Sequence, residues 1–246
     1  MVADDPYTDP RTGVLRNLLG ISDQDELNRV EAEVTSLRLV QLAEGALPGS
    51  YDLAHLQAFH RFLFGDLYEW AGELRTVAIA KQDLFCLPQY IPAFAADVFG
   101  QLARNDHLRG LDRDAFVDGL VDVLADINAL HPFREGNGRA QRAFLVQLAR
   151  AAGYRLSWQG LDQRENIRAS QAALRGDNAP LRVLLDRLVA RDKAVSSQSH
   201  PARTAGAAYR TPTGLDEQPA PGIPPQPSPR HHSPRRKPPP GESPRR

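Results

Sequence analysis

The sequence is short of most features that place a chain at a glance. It has a single cysteine, Cys86, in 246 residues, which excludes an internal disulfide framework. No apolar run reaches the ~20 residues that a membrane span needs. The first residues, Met1-Val2-Ala3-Asp4-Asp5, lack the basic and apolar regions of a secretory leader. Together these absences predict a cytoplasmic protein without a membrane span, although a C-terminal export signal would leave no mark on any of them. Net charge is also missing: 30 Lys/Arg balance 30 Asp/Glu.

That balance is an average over two unlike segments. Residues 196–246 hold 13 of the 20 prolines and eight Arg/Lys against three Asp/Glu, which leaves 22 basic and 27 acidic residues in 1–195. The basic, Pro-rich segment cannot bury enough apolar surface to offset the entropy of ordering it. It reads as a disordered tail with polyproline II stretches, suited to act as a spacer or to bind nucleic acid, an acidic surface or a proline-recognising domain. The acidic body, 1–195, is long enough for one sizeable core, and nucleic acid is not expected to bind it.

Within the body, helical periodicity dominates. Leu27, Val30, Val34, Leu37 and Leu42 form one stripe, and Leu53, Leu56, Phe59, His60, Leu63, Phe64 and Leu67 a second. Ile91, Phe94, Val98, Phe99 and Leu102 make a third, with Pro92 tolerated in its first turn. A fourth helix is expected over Ala115–Leu130, capped by Asp114, and a fifth from Asn137 to about Ala152, stopped by Gly153. Asp162–Leu174 and Ala179–Arg191 complete the set. Asp118, Asp122 and Asp126 recur every four residues and read as a solvated acidic face. Only Leu74–Ala80 alternates like a strand, with Lys81-Gln82-Asp83 as a turn and Leu84–Leu87 returning. The expected fold is therefore all-α with one small β-hairpin that must lean on the helices.

The densest chemistry lies at residues 131–142, His-Pro-Phe-Arg-Glu-Gly-Asn-Gly-Arg-Ala-Gln-Arg, where one helix ends and the next begins. Pro132 disfavours helical backbone at His131, which places a base of near-neutral pKa at the lip of a loop. Gly136 and Gly138 allow successive N–H groups to face one ligand, and the start of the fifth helix adds unpaired N–H groups and a positive dipole end. Arg139 and Arg142 lie three apart on that first turn, where a cation opposes the dipole, so a ligand is the better reason for them. Two guanidinium groups and exposed amides match a di- or triphosphate, and Glu135 is an oxygen ligand suited to Mg²⁺. Zinc fits poorly, because Pro132 and Gly136 break the helix that an i,i+4 His131–Glu135 pair would need, and no third ligand is evident.

The string His131-Pro132-Phe133-x-Glu135-Gly136-Asn137-Gly138-Arg139-x-x-Arg142 resembles the full signature of the Fic (filamentation induced by cAMP) family of AMP-transferring enzymes. Tyr68-Glu69-Trp70-Ala71-Gly72-Glu73-Leu74-Arg75-Thr76 is similar to the segment leading into that family's flap hairpin. The likeness spans roughly Tyr7 to Lys193. It implies a mainly helical Fic fold and an enzyme that uses ATP and Mg²⁺ to place AMP on a hydroxyl of a target protein. His131 would be the general base, Glu135 the Mg²⁺ ligand and Asn137 an α-phosphate contact. The Gly136 and Gly138 amides would cradle the leaving phosphates, with Arg139 on the β- and Arg142 on the γ-phosphate. Phe133 would anchor the loop. Thr76, Val77, Ala78, Ile79, Ala80, Lys81 and Phe85 would form the flap that aligns the target as an added strand. The region 162–175 is expected on the adenine side.

The resemblance also implies regulation by a helix bearing Ser/Thr-x-x-x-Glu-Gly/Asn, whose glutamate pairs with Arg142. Glu44-Gly45 is the nearest match, but Val40 stands at the Ser/Thr position. A small antitoxin-like inhibitor acting in trans is the expectation that follows. Other Fic-fold phosphotransfer, kinase-like or nucleotidyl, and an idle binding module built around the tail are the competing functions.

Overall fold

The structure is a computed structural model, and it describes residues 5–80 and 84–191. The expected tail at 196–246 and Lys81 lie outside the described residues. Among the described residues seven α-helices carry the fold: α1 (Gln24–Glu44), α2 (Leu53–Phe64), α3 (Ile91–Arg104), α4 (Arg113–Leu130), α5 (Asn137–Ala151), α6 (Gln163–Leu174) and α7 (Ala179–Leu188). Short acidic side chains start four of them. Asp23, Asp52, Asp112 and Asp162 each accept a backbone N–H from the first turn, satisfying a donor that the helix itself cannot. Asp112, and not Asp114, therefore caps α4, which starts two residues earlier than expected.

The core forms where α2, α3 and α4 meet α5. Phe144 of α5 is fully buried and meets Tyr51, His55, Phe59 and Phe99 edge-on, at centroid distances of 5.7–6.0 Å. Such T-shaped contacts add to the area buried and fix how α2 and α3 sit on α5. The α4–loop–α5 hairpin is thus clamped on its apolar sides, with the loop 131–136 at its turn.

Three local expectations change. First, α1 buries Leu27, Glu31 and Thr35, whereas Leu37 is 62% exposed. The rest of the apolar stripe does face inward, with Val30, Val34 and Leu42 packed on the core, and Glu31 and Thr35 join it because they find partners around the motif. Second, only Asp118 of the α4 carboxylates is on a solvated face. Asp122 and Asp126 are half-buried, and Asn178 donates to Asp122 Oδ1 at 3.3 Å. Asp118 pairs with Arg182 of α7 at 2.5 Å. Burial, followed by the charges of Asp126 and Asp118, pushes the Asp122 carboxyl up to about 6.

Third, the small antiparallel sheet lies elsewhere than the flap. It pairs β1 (Tyr154–Leu156) with β2 (Val189–Arg191), in the register Tyr154↔Arg191 and Leu156↔Val189. The last helix accordingly stops at Leu188, where β-branched Val189 turns extended. At the flap, a single bridge pairs Ala80 with Leu84, and the Phe85 amide donates to the Ile79 carbonyl at 3.2 Å. The chain does double back there, and the returning arm is also tied to α4 through Cys86 N, which donates to Ala129 O at 3.0 Å.

Candidate active site

His131 closes α4. Its amide still donates to Ile127 O at 3.0 Å, but its backbone is left-handed, at φ 43 and ψ 60. Pro132 forbids the helix from continuing, and a left-handed residue costs a non-glycine about 1–3 kcal/mol unless its surroundings enforce it. Here they do. Arg75 Nε donates to the His131 carbonyl at 2.7 Å, and the Phe85 ring stacks on the imidazole at 3.8 Å and 10°. His131 is 9% exposed and open to the cleft described below.

The loop is built from inside outward. Phe133 is buried and stacks on His60 at 3.9 Å. Asn137 bridges the loop by accepting from Phe133 N at 2.9 Å and donating to Phe133 O at 2.7 Å. This leaves one side-chain N–H for a ligand. Gly136 has φ 78, and a Cβ there would lie 2.4 Å from the Phe64 ring, so both conformation and space demand glycine. Its amide donates to Glu135 Oε1 at 2.9 Å. The expected anion cradle is therefore capped at Gly136 by the neighbouring carboxylate.

His60, read from the sequence as a core residue, proves to be the loop's underside. It is fully buried, accepts from Gly72 N at 2.8 Å through Nδ1 and meets Glu135 O at 2.9 Å through Nε2. An acceptor role for Nδ1 fixes the neutral tautomer with hydrogen on Nε2. Burial is the main cause that pushes its pKa down to about 4.

The two motif arginines have unlike surroundings. Arg139 Nη2 donates to Glu31 Oε1 at 2.5 Å, lies 3.8 Å from Glu135 Oε1, and its guanidinium sits 4.7 Å over the Phe64 ring. Tyr68 O–H donates to the other oxygen of Glu31, and burial and Glu31 together push the phenol's pKa up. Arg142 pairs with no carboxylate among the described residues. Burial, and after it the Arg139 charge, lowers its pKa, which marks a desolvated cation short of a counter-charge. Glu44 and Val40 are both exposed at the end of α1.

A cleft of about 620 Å³ gathers His131, Gly138, Arg142 and Phe85 on one side and Trp158 and Asn166 on the other. The second wall is α6, within the 162–175 region expected on the adenine side. Glu135 is half exposed beside Arg139. Among the described residues no three acidic, His or Cys side chains cluster as a protein cage for a metal. A lone exposed carboxylate next to a phosphate-sized cleft fits Mg²⁺, which takes few protein oxygens and completes its shell with phosphates and water.

The flap residues are only partly gathered here. Phe85 lines the cleft. Val77, Ala78, Ile79 and Ala80 form the outgoing arm. Thr76 faces a separate hollow of about 340 Å³ with Tyr7 and Trp70, and Tyr7 Oη accepts from Thr76 N at 3.0 Å. The N-terminal arm that carries Tyr7 also reaches the motif, since Asp5 Oδ2 accepts from Arg134 Nη2 at 2.6 Å. No sequence signal pointed to Asp5, Tyr7, His60 or Glu31, because each acts across many residues of chain.

The start of α5, the Arg142 guanidinium and the His131 imidazole share one cleft, while Arg139 is held by Glu31 and does not line it; a helix N-terminus, a cation and a titratable ring side by side are the makings of a phosphate site. Residues 50–149 match the Fic/DOC family. The chain is 45% identical over 186 residues to protein adenylyltransferase VbhT of Bartonella schoenbuchensis, covering 75% of this chain but 39% of that protein. It is 43% identical over 189 residues to the probable protein adenylyltransferase y4lH of Sinorhizobium fredii, covering 96% of that protein. To the probable protein adenylyltransferase Fic of Escherichia coli it is 39% identical, covering 92%. Among solved structures it resembles the N-terminal Fic domain of a putative cell filamentation protein from Bartonella quintana with bound ADP. There the TM-score is 0.73 at 26% identity, covering 78% of this chain and 98% of that one. BepC of Bartonella tribocorum with bound AMPPNP gives 0.71 at 25% identity, covering 76% and 97%. The chain belongs to the Fic/DOC family.

Proposed function

We propose that this chain transfers AMP from ATP to a Ser, Thr or Tyr hydroxyl of a target protein and releases pyrophosphate. One observation carries the reading most: Arg142 is a desolvated cation without a carboxylate among the described residues, and it shares a cleft with His131. A triphosphate supplies the missing charge. The names of the relatives and the nucleotides in the two neighbouring structures point the same way.

In this reading the target oxygen attacks the α-phosphorus while its proton passes to His131. The bond from the α-phosphorus to the bridging oxygen breaks, and pyrophosphate leaves. His131 is suited to the step because Phe85 and the Arg75 bond hold its ring and backbone still. Arg142, Arg139 and the Gly138 amide would take the charge of the leaving phosphates, and the free N–H of Asn137 would contact an α-phosphate oxygen. Glu135 would hold Mg²⁺, which when bound neutralises phosphate charge. The flap residues Thr76–Ala80, Lys81 and Phe85 would align the target backbone.

The catalytic unit would span 1–195, with 196–246 as an appended tail. A cytoplasmic site of action suits an ATP-dependent transfer. Because Glu44 is exposed and Val40 replaces the expected hydroxyl, inhibition would come in trans, from a small antitoxin-like partner that offers Arg142 a carboxylate. Intact-mass and peptide mass spectrometry of the purified chain with ATP tests the reaction. AMP on a hydroxyl residue, absent with His131→Ala, supports it, and unmodified protein substrates under all conditions oppose it.

A further inference from the structure

Arg75 is 2% exposed, and among the described residues no carboxylate pairs with it. Its guanidinium is satisfied by three backbone carbonyls instead. Nε donates to His131 O at 2.7 Å, Nη1 to Val77 O at 2.7 Å and Nη2 to Cys86 O. Its own amide donates to Pro132 O at 2.9 Å. Val77 lies on the outgoing arm of the flap and Cys86 on the returning arm. Cys86 N in turn donates to Ala129 O, in the last turn of α4, at 3.0 Å. One planar cation therefore joins both arms of the flap to the carbonyl of a histidine in a strained left-handed conformation.

A buried guanidinium held only by dipoles is costly to desolvate, and a hydrophobic side chain would fill the same space more cheaply. What only the fork can do is bond in several directions at once, at fixed angles in one plane. The flap needs such a fastener, because its two arms share little beyond the Ala80–Leu84 bridge and the Phe85–Ile79 hydrogen bond. The base needs one as well, because residue 131 is held out of the helical conformation by its carbonyl partner and by the Phe85 ring from the same flap.

We propose that Arg75 is a positioning residue that sets the flap and the His131 backbone as a single unit, so that the segment aligning the target and the base that deprotonates it keep one geometry. This deepens the AMP-transfer reading and rests on it for the roles of His131 and the flap. Arg75 is buried and does not line the cleft, so it acts through His131.

The test uses the full chain with Arg75→Gln and Arg75→Lys, read by hydrogen exchange, binding of a non-hydrolysable ATP analogue, and AMP transfer. Exchange is expected to rise about tenfold or more, the worth of one lost charge-assisted bond, in both 84–87 and 131–134. It should stay unchanged in the cores of α2 and α5. Analogue affinity should hold within about twofold, while kcat for transfer falls by about tenfold to a hundredfold. Lys, which can satisfy one carbonyl geometry well, should recover part of the loss. Exchange rising in only one of the two segments overturns the proposal, as does a general rise across α2 and α5, or wild-type kcat with both segments loosened. If Gln does not fold, Lys gives the same readings. If the wild-type chain transfers no AMP, the AMP-transfer reading has failed by itself, and the joint or separate loosening of the two segments still decides for or against the unit.

Discussion

Arg139 of the motif is held from α1 by Glu31, with Nη2 at 2.5 Å from Oε1, while Arg142, one turn further along α5, has no such carboxylate among the described residues. The two arginines therefore stand in different relations to the fold, although the proposed reaction gives each a phosphate to hold. Removing Arg139 strands Glu31, which is 9% exposed and left with Tyr68. Arg139→Ala is expected to lower the unfolding free energy by about 2–4 kcal/mol, because breaking a largely buried pair leaves one charge uncompensated. Arg142→Ala should be neutral or slightly stabilising, since it relieves a desolvated cation. Both should weaken ATP-analogue binding. Chemical denaturation beside calorimetric binding separates the two effects, and equal destabilisation by both variants would contradict the asymmetry.

Gly136→Ala should be among the most damaging single-methyl changes in the chain. The residue has φ 78, and its Cβ would meet the Phe64 ring at 2.4 Å and His60 Nε2 at 3.1 Å. Backbone strain and overpacking together predict a loss of about 2–4 kcal/mol. Gly160→Ala supplies the control, because its φ is 76 but no atom lies within 4 Å of the added methyl. It should lose about 1 kcal/mol, from strain alone. Thermal melts of the two variants give the comparison, and similar shifts would mean that the Phe64 contact is not what excludes a side chain.

Stability should depend on pH through two groups of opposite sign. His60 has a folded pKa near 4 against 6.5 unfolded, so its contribution is complete above 6.5 and is lost as pH falls through 4, by about 3 kcal/mol in all. Asp122 has a folded pKa near 6, raised above its unfolded 3.8. It destabilises the charged fold above pH 6, and that penalty disappears as pH falls toward 4. Asp122→Asn should therefore raise stability at pH 8 by about 1 kcal/mol after allowance for solvent screening, with a gain that shrinks through pH 6 and vanishes near 4. Denaturation midpoints at pH 8, 6 and 4.5 check this. A gain independent of pH would show that Asp122 does not titrate as argued.

Phe85 couples the flap to the base by stacking on His131 at 3.8 Å. Phe85→Ala should reduce transfer by about tenfold, the scale of one lost aromatic stack, with little effect on ATP-analogue binding. Phe85→Tyr should retain most of the rate. Steady-state kinetics beside binding would show this, and a loss confined to nucleotide affinity would assign Phe85 to the cleft wall instead.

The helical body and the motif loop were legible because their signals are local. Apolar spacing announced α2 to α5, and Pro132 announced a helix end at His131. The left-handed backbone at His131 was not, since Pro132 alone favours an extended residue before it, and the Arg75 bond that selects otherwise comes from 56 positions earlier. The polar part of α1's inward face was missed for the same kind of reason, although Val30, Val34 and Leu42 of its apolar stripe do pack on the core. Glu31 and Thr35 are buried because Tyr68 and Arg139 receive them, and no spacing rule within α1 contains those partners. The pairing of Tyr154–Leu156 with Val189–Arg191 likewise joins segments too short to declare themselves.

The central claim is that a hydroxyl attacks the α-phosphorus of ATP with His131 as its base. The most direct measurement is incubation of the chain and candidate protein acceptors with α-labelled and, in parallel, γ-labelled ATP. Label on protein from the α position only, lost in His131→Ala, is the predicted result. Label from the γ position only would make the chain a kinase, and label from neither would make it a binding module; each contradicts AMP transfer.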